Sequence, residues 1–218
     1  MKTLLYLSIF LFVIYGFQNS ATDDQVLKLN GKTIHVKVLA AQQARKYSFR
    51  PIVSKVLPVV KKRSGAMRLE LFNGKYITLK DVTTGNDVDK KEYIFKELLF
   101  SRFYVVLGKY YETGEYLLID RKNGDIVKLW GRPYFSPNNH QYVAAFSGSL
   151  DYDMMPNGIQ LFKVDSDKIS LEWEYIIEDW QPDGLAWKDN KTLLVIKNIP
   201  NHISPTKKTI KTYLSFEF

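Results

Sequence analysis

The sequence predicts an all-β protein built from antiparallel hairpins with little helix, and three observations support this prediction. Aromatic residues make up 14% of the 218 residues, and aromatic side chains favour strands. Four Asn-Gly pairs punctuate the chain, and this dipeptide is typical of the tight turns that join antiparallel strands. Stretches with helix-forming composition are few and short, so most of the chain is expected to form strands.

Residues 1–21 have the layout of a secretory signal peptide. Lys2 gives a positive start, an uncharged apolar run follows, and a small-residue tail ends at Ala21. The apolar run is shorter than the roughly twenty residues that a membrane-spanning helix needs. We therefore expect cleavage after Ala21 and a periplasmic or secreted protein with no transmembrane span, in which residues 22–218 form a single all-β domain. The alternative is an uncleaved signal anchor, because Asn19 is a poor residue at its distance from the cleavage site.

Composition excludes several kinds of site. The chain has no cysteine, which excludes disulfides, thiol nucleophiles and thiolate metal ligands. An exported chain without disulfides is common in bacteria, whereas a small secreted eukaryotic domain more often carries them.

The net charge is +8, with lysine-rich clusters at residues 61–63, 90–91 and 207–208. Such clusters suit nucleic acid, anionic lipid or acidic glycans. Their shortness favours a solvated surface, and export argues against a nucleic-acid partner.

The Asn-Gly pairs predict the hairpins. Asn-Gly tolerates positive φ at both central positions, which the tight type I′ turn requires. The predicted pairs are residues 26–29 with 33–39, 68–72 with 76–79, and, through a slightly longer loop, 116–120 with 126–130. The fourth Asn-Gly pair is expected to open a strand at residues 159–164, which turns back as 169–175.

The N-terminal part of the domain, residues 22–98, is expected to combine hairpins with an irregular segment. Residues 40–46 have helix-forming composition. Residues 51–63 have room for a helical turn, which Pro58 interrupts. Residues 89–100 fit either a short helix or a strand.

From about residue 99 to residue 218 the chain repeats one pattern, in which an aromatic residue precedes a polar turn that feeds an apolar strand. Residues 135–138 align in this way with 186–189, about fifty positions later, which is close to the period of propeller blades. Beyond the hairpins above, strands are expected at residues 103–107, within 133–146 and 184–196, and at 211–218.

The sequence Phe-Ser-Pro-Asn at residues 135–138 is followed by Tyr-Val-Ala at 142–144 and by Ile-Gln-Leu-Phe-Lys-Val at 159–164. This succession resembles the WD40-like (TolB-type) β-propeller repeat of exported bacterial proteins, over about residues 99–218. Propellers of this family usually have more blades than this chain can hold. The resemblance therefore implies a partial or small propeller, with a blade-like β-sandwich as the alternative. It also implies a binding or scaffold surface more than a reaction.

Asp151, Asp153 and Asn157 form the candidate metal site. Their side-chain oxygens recur at i, i+2 and i+6 of one loop, and calcium prefers such oxygen-rich loops. A methionine occupies i+4, where an EF-hand loop has a ligand, so the alternative is an ordinary loop in which Asp and Asn cap turns. The three histidines are far apart in the sequence and are expected to be solvated.

Trp173, Trp180, Glu178 and Asp179 form the candidate ligand-binding site. Aromatic rings stack on sugar faces and carboxylates bind hydroxyl groups, so this Trp-acid cluster near residues 172–183 indicates glycan binding. The alternative is an amphipathic strand, because strand alternation would put the tryptophans in the core and the acids in solvent.

No sequence motif points to catalysis. A Gly-x-Ser-x-Gly nucleophile elbow and the glycine-rich phosphate loops are both missing. We therefore predict no catalytic residue and no cofactor. The leading interpretation is an exported, non-enzymatic binding or structural module of the bacterial envelope, with an unknown protein or glycan partner. The alternative is a glycan-binding or glycan-active protein that uses the Trp-acid cluster.

Overall fold

The computed structural model describes residues 24–54, 60–201 and 210–218, and these residues form an all-β fold of antiparallel strands. The signal peptide predicted at residues 1–21 lies outside them. In these three ranges, no helix has both the length and the apolar character that crossing a membrane requires.

Sixteen strands, one short α-helix and one 3-10 turn make up the regular structure of the described ranges. The strands are β1 Gln25–Leu29, β2 Lys32–Leu39, β3 Lys62–Arg63, β4 Ala66–Glu70, β5 Tyr76–Lys80, β6 Glu92–Leu99, β7 Phe103–Lys109, β8 Gly114–Asp120, β9 Ile126–Leu129, β10 Tyr134–Phe135, β11 Tyr142–Ser147, β12 Gly158–Val164, β13 Ile169–Ile176, β14 Gln181–Asp189, β15 Thr192–Ile199 and β16 Ile210–Glu217. The helix, α1, is Ala41–Ala44, and the 3-10 turn is Asp87–Asp89.

The strands form four antiparallel sheets that follow one another along the chain. The first sheet is β3-β4-β5, the second is β6-β7-β8-β9 and the third is β10-β11-β12-β13. The fourth sheet has the order β1-β2-β16-β15-β14, so the N-terminal hairpin pairs with the C-terminal strand. The two ends of the described chain are thereby held in one sheet.

The hairpins predicted from the Asn-Gly pairs are confirmed, with a two-residue turn in the first and, as expected, a longer loop in the third. Asn30 and Gly31 alone join β1 to β2, and their φ angles are 48° and 75°. In the hairpins β4-β5 and β8-β9 only the glycine of the pair has a positive φ, and the connecting loops are longer. The fourth pair opens β12 at Gly158, as expected.

Residues 89–100, which fitted either a helix or a strand, belong to the second sheet. A 3-10 turn ends at Asp89, and β6 then pairs with β7 between Glu92 and Leu99. This sheet therefore starts before residue 99, where the blade-like pattern was expected to begin. Pairing with β7 decides the outcome, because strand formation depends on cross-strand neighbours more than on local composition.

The segment between β2 and β3 is largely irregular. The helix α1 forms a single turn inside the stretch 40–46 that was predicted to be helical. In the second predicted helical stretch, residues 51–54 and 60–61 have no regular structure and Lys62–Arg63 is strand β3. Residues 55–59 of that stretch lie outside the described ranges.

Three hydrophobic clusters join the four sheets in order. The first cluster packs the first sheet on the second, the next packs the second on the third, and the last packs the third on the fourth. Strand β7 shows the consequence, because Phe103 and Val105 face the third sheet whereas Tyr104 and Val106 face the first. Both faces of this strand are buried, which explains why its sequence is a continuous apolar run rather than an alternating one.

The segment from α1 to Ser54 covers the other face of the fourth sheet. The ring of Phe49 lies 5.7 Å from that of Tyr213, a residue that alternates along β16 with the core residue Leu214. The Ser54 N–H then donates to Glu97 Oε2 of the second sheet at 3.0 Å. This segment therefore links the fourth sheet to the second.

Candidate ligand-binding site

An open cleft of about 600 Å³ lies on the second sheet, on the face that packs against the first sheet. Strands β4 and β5 have five residues each whereas β7 and β8 have seven, so the first sheet leaves one end of this face uncovered. We call this opening the tyrosine cleft, and its defining residues are Tyr93, Tyr110, Glu115, Lys128, Trp130 and Met154.

Cross-strand pairing builds the floor of the tyrosine cleft. Tyr93 of β6 lies opposite Gly108 of β7, which in turn lies opposite Glu115 of β8. Trp130 directly follows β9 and continues this row at the edge of the sheet. Gly108 leaves room for the overlying ring, because a Cβ at this position would lie 3.0 Å from Tyr110 Oη. The row therefore exposes aromatic and polar groups side by side.

The loop between β11 and β12 forms one wall of the cleft. Met154, Met155 and Pro156 of this loop line the opening. Tyr152 Oη donates to the carbonyl of Glu112 at 2.9 Å, which fastens the loop to the connection between β7 and β8. Met154 is 59% exposed, and an exposed methionine offers an apolar contact that adapts to the shape of a ligand.

Charged groups and a tyrosine hydroxyl meet in the cleft. Tyr110 Oη donates to Glu115 Oε1, and Lys128 Nζ lies 3.1 Å from the same oxygen. Lys91 Nζ lies 5.9 Å from the ring centre of Tyr110. Burial, together with the bond to Glu115, raises the pKa of Tyr110 well above its usual value. The hydroxyl therefore stays protonated at neutral pH and acts as a donor.

The Trp-acid cluster predicted from the sequence is divided between the core and the surface. Trp173 is 1% exposed and Trp180 is 4% exposed, and both belong to the cluster between the third and fourth sheets. Glu178 and Asp179 are exposed. The structure therefore does not bring the two indoles and the two carboxylates together on one open surface.

Trp180 borders a second cleft, of about 510 Å³, between the third and fourth sheets. Tyr175 also lines it, and burial followed by the charge of Asp179 raises the pKa of this tyrosine. Lys197 Nζ lies 5.5 Å from the ring centre of Trp180. The ammonium group thus occupies the position that a stacked sugar would need.

The residues of the candidate calcium site have different environments. Asp153 is exposed. Asn157 is 8% exposed, and its amide group donates to the carbonyls of Ile177 and Trp180 at 2.7 Å each. In the part of the chain that the structure describes, no three side chains of His, Asp or Glu are arranged to hold a metal ion. Calcium binding at Asp151, Asp153 and Asn157 stays a prediction of the sequence.

Sequence patterns do not predict a site at Tyr93, Tyr110, Glu115 or Trp130. They lie in or beside strands and carry no motif. One signal was present, because Glu115 shares a face of β8 with the core residues Leu117 and Ile119. A charge on an otherwise apolar face marks where the core ends.

Compared as a whole, the sequence matches no model of a known protein family and no curated protein.

Proposed function

We propose that this protein is an exported, non-enzymatic binding module of the bacterial envelope and that the tyrosine cleft holds its ligand. The observation that carries the proposal is an open cleft lined by Tyr93, Tyr110 and Trp130 with a few convergent polar groups. Binding sites for small ligands typically have this composition and a volume of several hundred Å³. The proposal of export rests on the signal-peptide layout of residues 1–21.

The proposal includes the architecture, in which the four sheets are blades of a partial or small propeller. Two features support it. Each sheet packs face to face on the next, and the N-terminal hairpin completes the last sheet. Equivalent turns also meet between neighbouring sheets, since the N–H of Asn138 donates to Asn190 Oδ1 at 3.0 Å. Loops on a rigid scaffold commonly carry binding residues, and the β11–β12 loop does so here because it lines the tyrosine cleft.

A binding role rather than a catalytic one agrees with the chemistry of the cleft. Its carboxylate, on Glu115, is engaged by Lys128 and by the hydroxyl of Tyr110. An acid held in this way already uses one oxygen to accept from two donors of the protein itself, so its role in the cleft is to position those groups. The tyrosine hydroxyl is protonated at neutral pH and is a poor nucleophile.

The binding half of the proposal is tested by thermal shift of the mature protein with peptidoglycan fragments, lipopolysaccharide core oligosaccharides and peptides of envelope proteins. A ligand that binds only the folded state raises Tm, by an amount equivalent to about 2.7 kcal/mol at a hundred times Kd. We expect Trp130→Ala to abolish the shift. Tyr76→Ala is the matched control, because Tyr76 is 49% exposed and lies outside the cleft. An equal shift in Trp130→Ala, or no shift with any probe, would refute this half.

The export half is tested with the full chain carrying a C-terminal epitope. We expect the protein in the periplasmic or secreted fraction, with Thr22 as its N-terminal residue by mass spectrometry. Leu11→Arg places a charge in the apolar run and should keep the protein in the cytoplasm, whereas the control Lys2→Arg should be exported normally. Cytoplasmic wild-type protein would contradict export.

A further inference from the structure

We propose that the ligand of the tyrosine cleft is an acidic oligosaccharide, a chain of pyranose units that carry carboxylates. This inference rests on the proposed function and specifies its ligand. The cleft combines aromatic ring faces, a hydroxyl group and an excess of positive charge. Such a sugar offers a matching group for each, namely its C–H faces, its hydroxyls and its carboxylates.

The row of side chains on the floor matches a linear ligand. Tyr93 and Glu115 lie two strands apart in register with Gly108 between them, and Trp130 stands beyond Glu115. Strands in a sheet are about 4.8 Å apart, so successive positions of the row repeat at a distance comparable to one pyranose ring. Tyrosine and tryptophan rings pack against the C–H faces of sugars and offer a polar edge to their hydroxyls.

The polar groups favour a negatively charged sugar over a neutral one. Lys91 and Lys128 bring two ammonium groups to the cleft, and Glu115 brings one carboxylate. Lys128 has a side-chain exposure of 72% and so can turn from Glu115 toward a bound carboxylate. The net charge of the chain, +8, adds a long-range attraction for anions.

The same groups argue against an acyl chain. Thr113, Glu115 and two lysines lie among the lining residues, and a buried alkyl chain would leave their polar atoms without water or partners. Hydroxyl and carboxylate groups of a sugar satisfy them instead.

The test is a titration of the mature protein with hexagalacturonate, followed by tryptophan fluorescence and repeated with the neutral hexasaccharide maltohexaose. We expect hexagalacturonate to bind at least tenfold more tightly, and more weakly as the salt concentration rises. Lys91→Gln/Lys128→Gln should weaken its binding at least tenfold. Lys75→Gln/Lys122→Gln is the charge-matched control, because both lysines are exposed and lie in the turns β4-β5 and β8-β9, away from the cleft. This control should bind as the wild type does.

Glu115→Gln gives a second and opposite readout. Among the described residues that line the cleft, Glu115 is the one carboxylate, and the change removes it while keeping the side-chain shape, so we expect tighter binding of hexagalacturonate. Equal affinity for the two sugars, or an unchanged Kd in Lys91→Gln/Lys128→Gln, overturns the inference. If neither sugar binds while another envelope probe gives a Trp130-dependent thermal shift, the acidic-sugar inference fails and the binding proposal stands. If no probe gives such a shift, both fail.

Discussion

At the scale of single residues, the least expected side chain is a carboxylate inside the second sheet. Glu97 is 1% exposed, and both of its oxygens are engaged. Oε1 accepts from Arg132 Nη2 at 2.6 Å, and Oε2 accepts from the N–H of Ser54 at 3.0 Å. A buried charge is tolerated only when it is paired and hydrogen-bonded. Glu97 thus anchors the segment that follows α1.

Replacing this carboxylate tests the anchor. Glu97→Gln keeps the shape but removes the charge that Arg132 faces, and breaking a buried ion pair is strongly destabilising. Removing one partner of a fully buried ion pair typically costs about 3–5 kcal/mol. The Arg132 side chain is 37% exposed and can be solvated after the change. We therefore expect a smaller loss, about 2 kcal/mol of unfolding free energy. Urea unfolding measures it, with Glu92→Gln on the exposed start of the same strand as control. Equal midpoints for the two variants would contradict the anchor.

Asp81 makes stability depend on pH. Burial works to raise the pKa of this carboxyl, but Lys62 Nζ at 2.7 Å and the N–H of Tyr93 at 2.9 Å outweigh it and lower the pKa. A lowered folded-state pKa means stability that is present above the unfolded value, about 3.9, and lost as pH falls through the folded value. We expect Asp81→Asn to cost about 1–2 kcal/mol at pH 7 and progressively less below pH 4.

Urea unfolding of the wild type and Asp81→Asn between pH 7 and pH 3 measures this convergence. Asp89→Asn is the control, since Asp89 is exposed in the 3-10 turn, and a surface substitution of this kind usually changes stability by less than about 0.5 kcal/mol. A gap between wild type and Asp81→Asn that stayed constant down to pH 3 would show that the charge of Asp81 is not the cause.

At the scale of elements, Asn157 ties two connections together. Its Oδ1 accepts from the N–H of Ser149 at 3.1 Å, within the β11–β12 loop. Its amide nitrogen donates to Ile177 and Trp180, which both lie in the β13–β14 connection. One side chain therefore fixes the loop that carries Met154 against the neighbouring connection.

Asn157→Ala removes all three bonds and leaves two buried carbonyls without this donor. We expect a loss of about 2–3 kcal/mol in unfolding free energy, because unsatisfied buried groups are costly. Asn190→Ala is the control, since Asn190 makes its two bonds to Asn138 at the surface and should lose less than about 1 kcal/mol. Chemical denaturation compares them, and a loss in Asn157→Ala no larger than in the control would remove Asn157 from this role.

Local elements were predictable from the sequence and their assembly was not. The hairpin β1-β2 follows from Asn30-Gly31, because the turn and its flanking alternation are contained in one short window. The pairing of β2 with β16 joins residues at opposite ends of the chain, and no local pattern encodes it. The tyrosine cleft was missed for the same reason. It exists because the first sheet is shorter than the second, which is a property of two sheets together.

At the scale of the whole molecule, the fourth sheet joins the N-terminal strands to the C-terminal strands. Its strands β14, β15 and β16 come from the C-terminal end and its strands β1 and β2 from the N-terminal end. Both faces of the second and third sheets are buried in hydrophobic clusters. Detaching any one sheet from its neighbour would therefore expose a hydrophobic cluster to water. We therefore expect β2-β16 pairing to contribute to the stability of all four sheets.

A disulfide between β2 and β16 tests this pairing. Lys37 and Ser215 are direct partners in the register and 178 positions apart, and the natural chain has no cysteine to interfere. Bridging them in Lys37→Cys/Ser215→Cys restricts the unfolded chain, and we expect about 2–4 kcal/mol of stabilisation. This corresponds to a Tm rise of roughly 5–15 °C in the oxidised over the reduced protein.

Lys37→Cys/Glu217→Cys is the control, because Glu217 pairs with His35 and its diagonal distance from position 37 is too long for a strain-free bridge. If the in-register variant failed to oxidise, or gained no more stability than the control, β2 would not be paired with β16 and the two ends of the chain would not share one sheet.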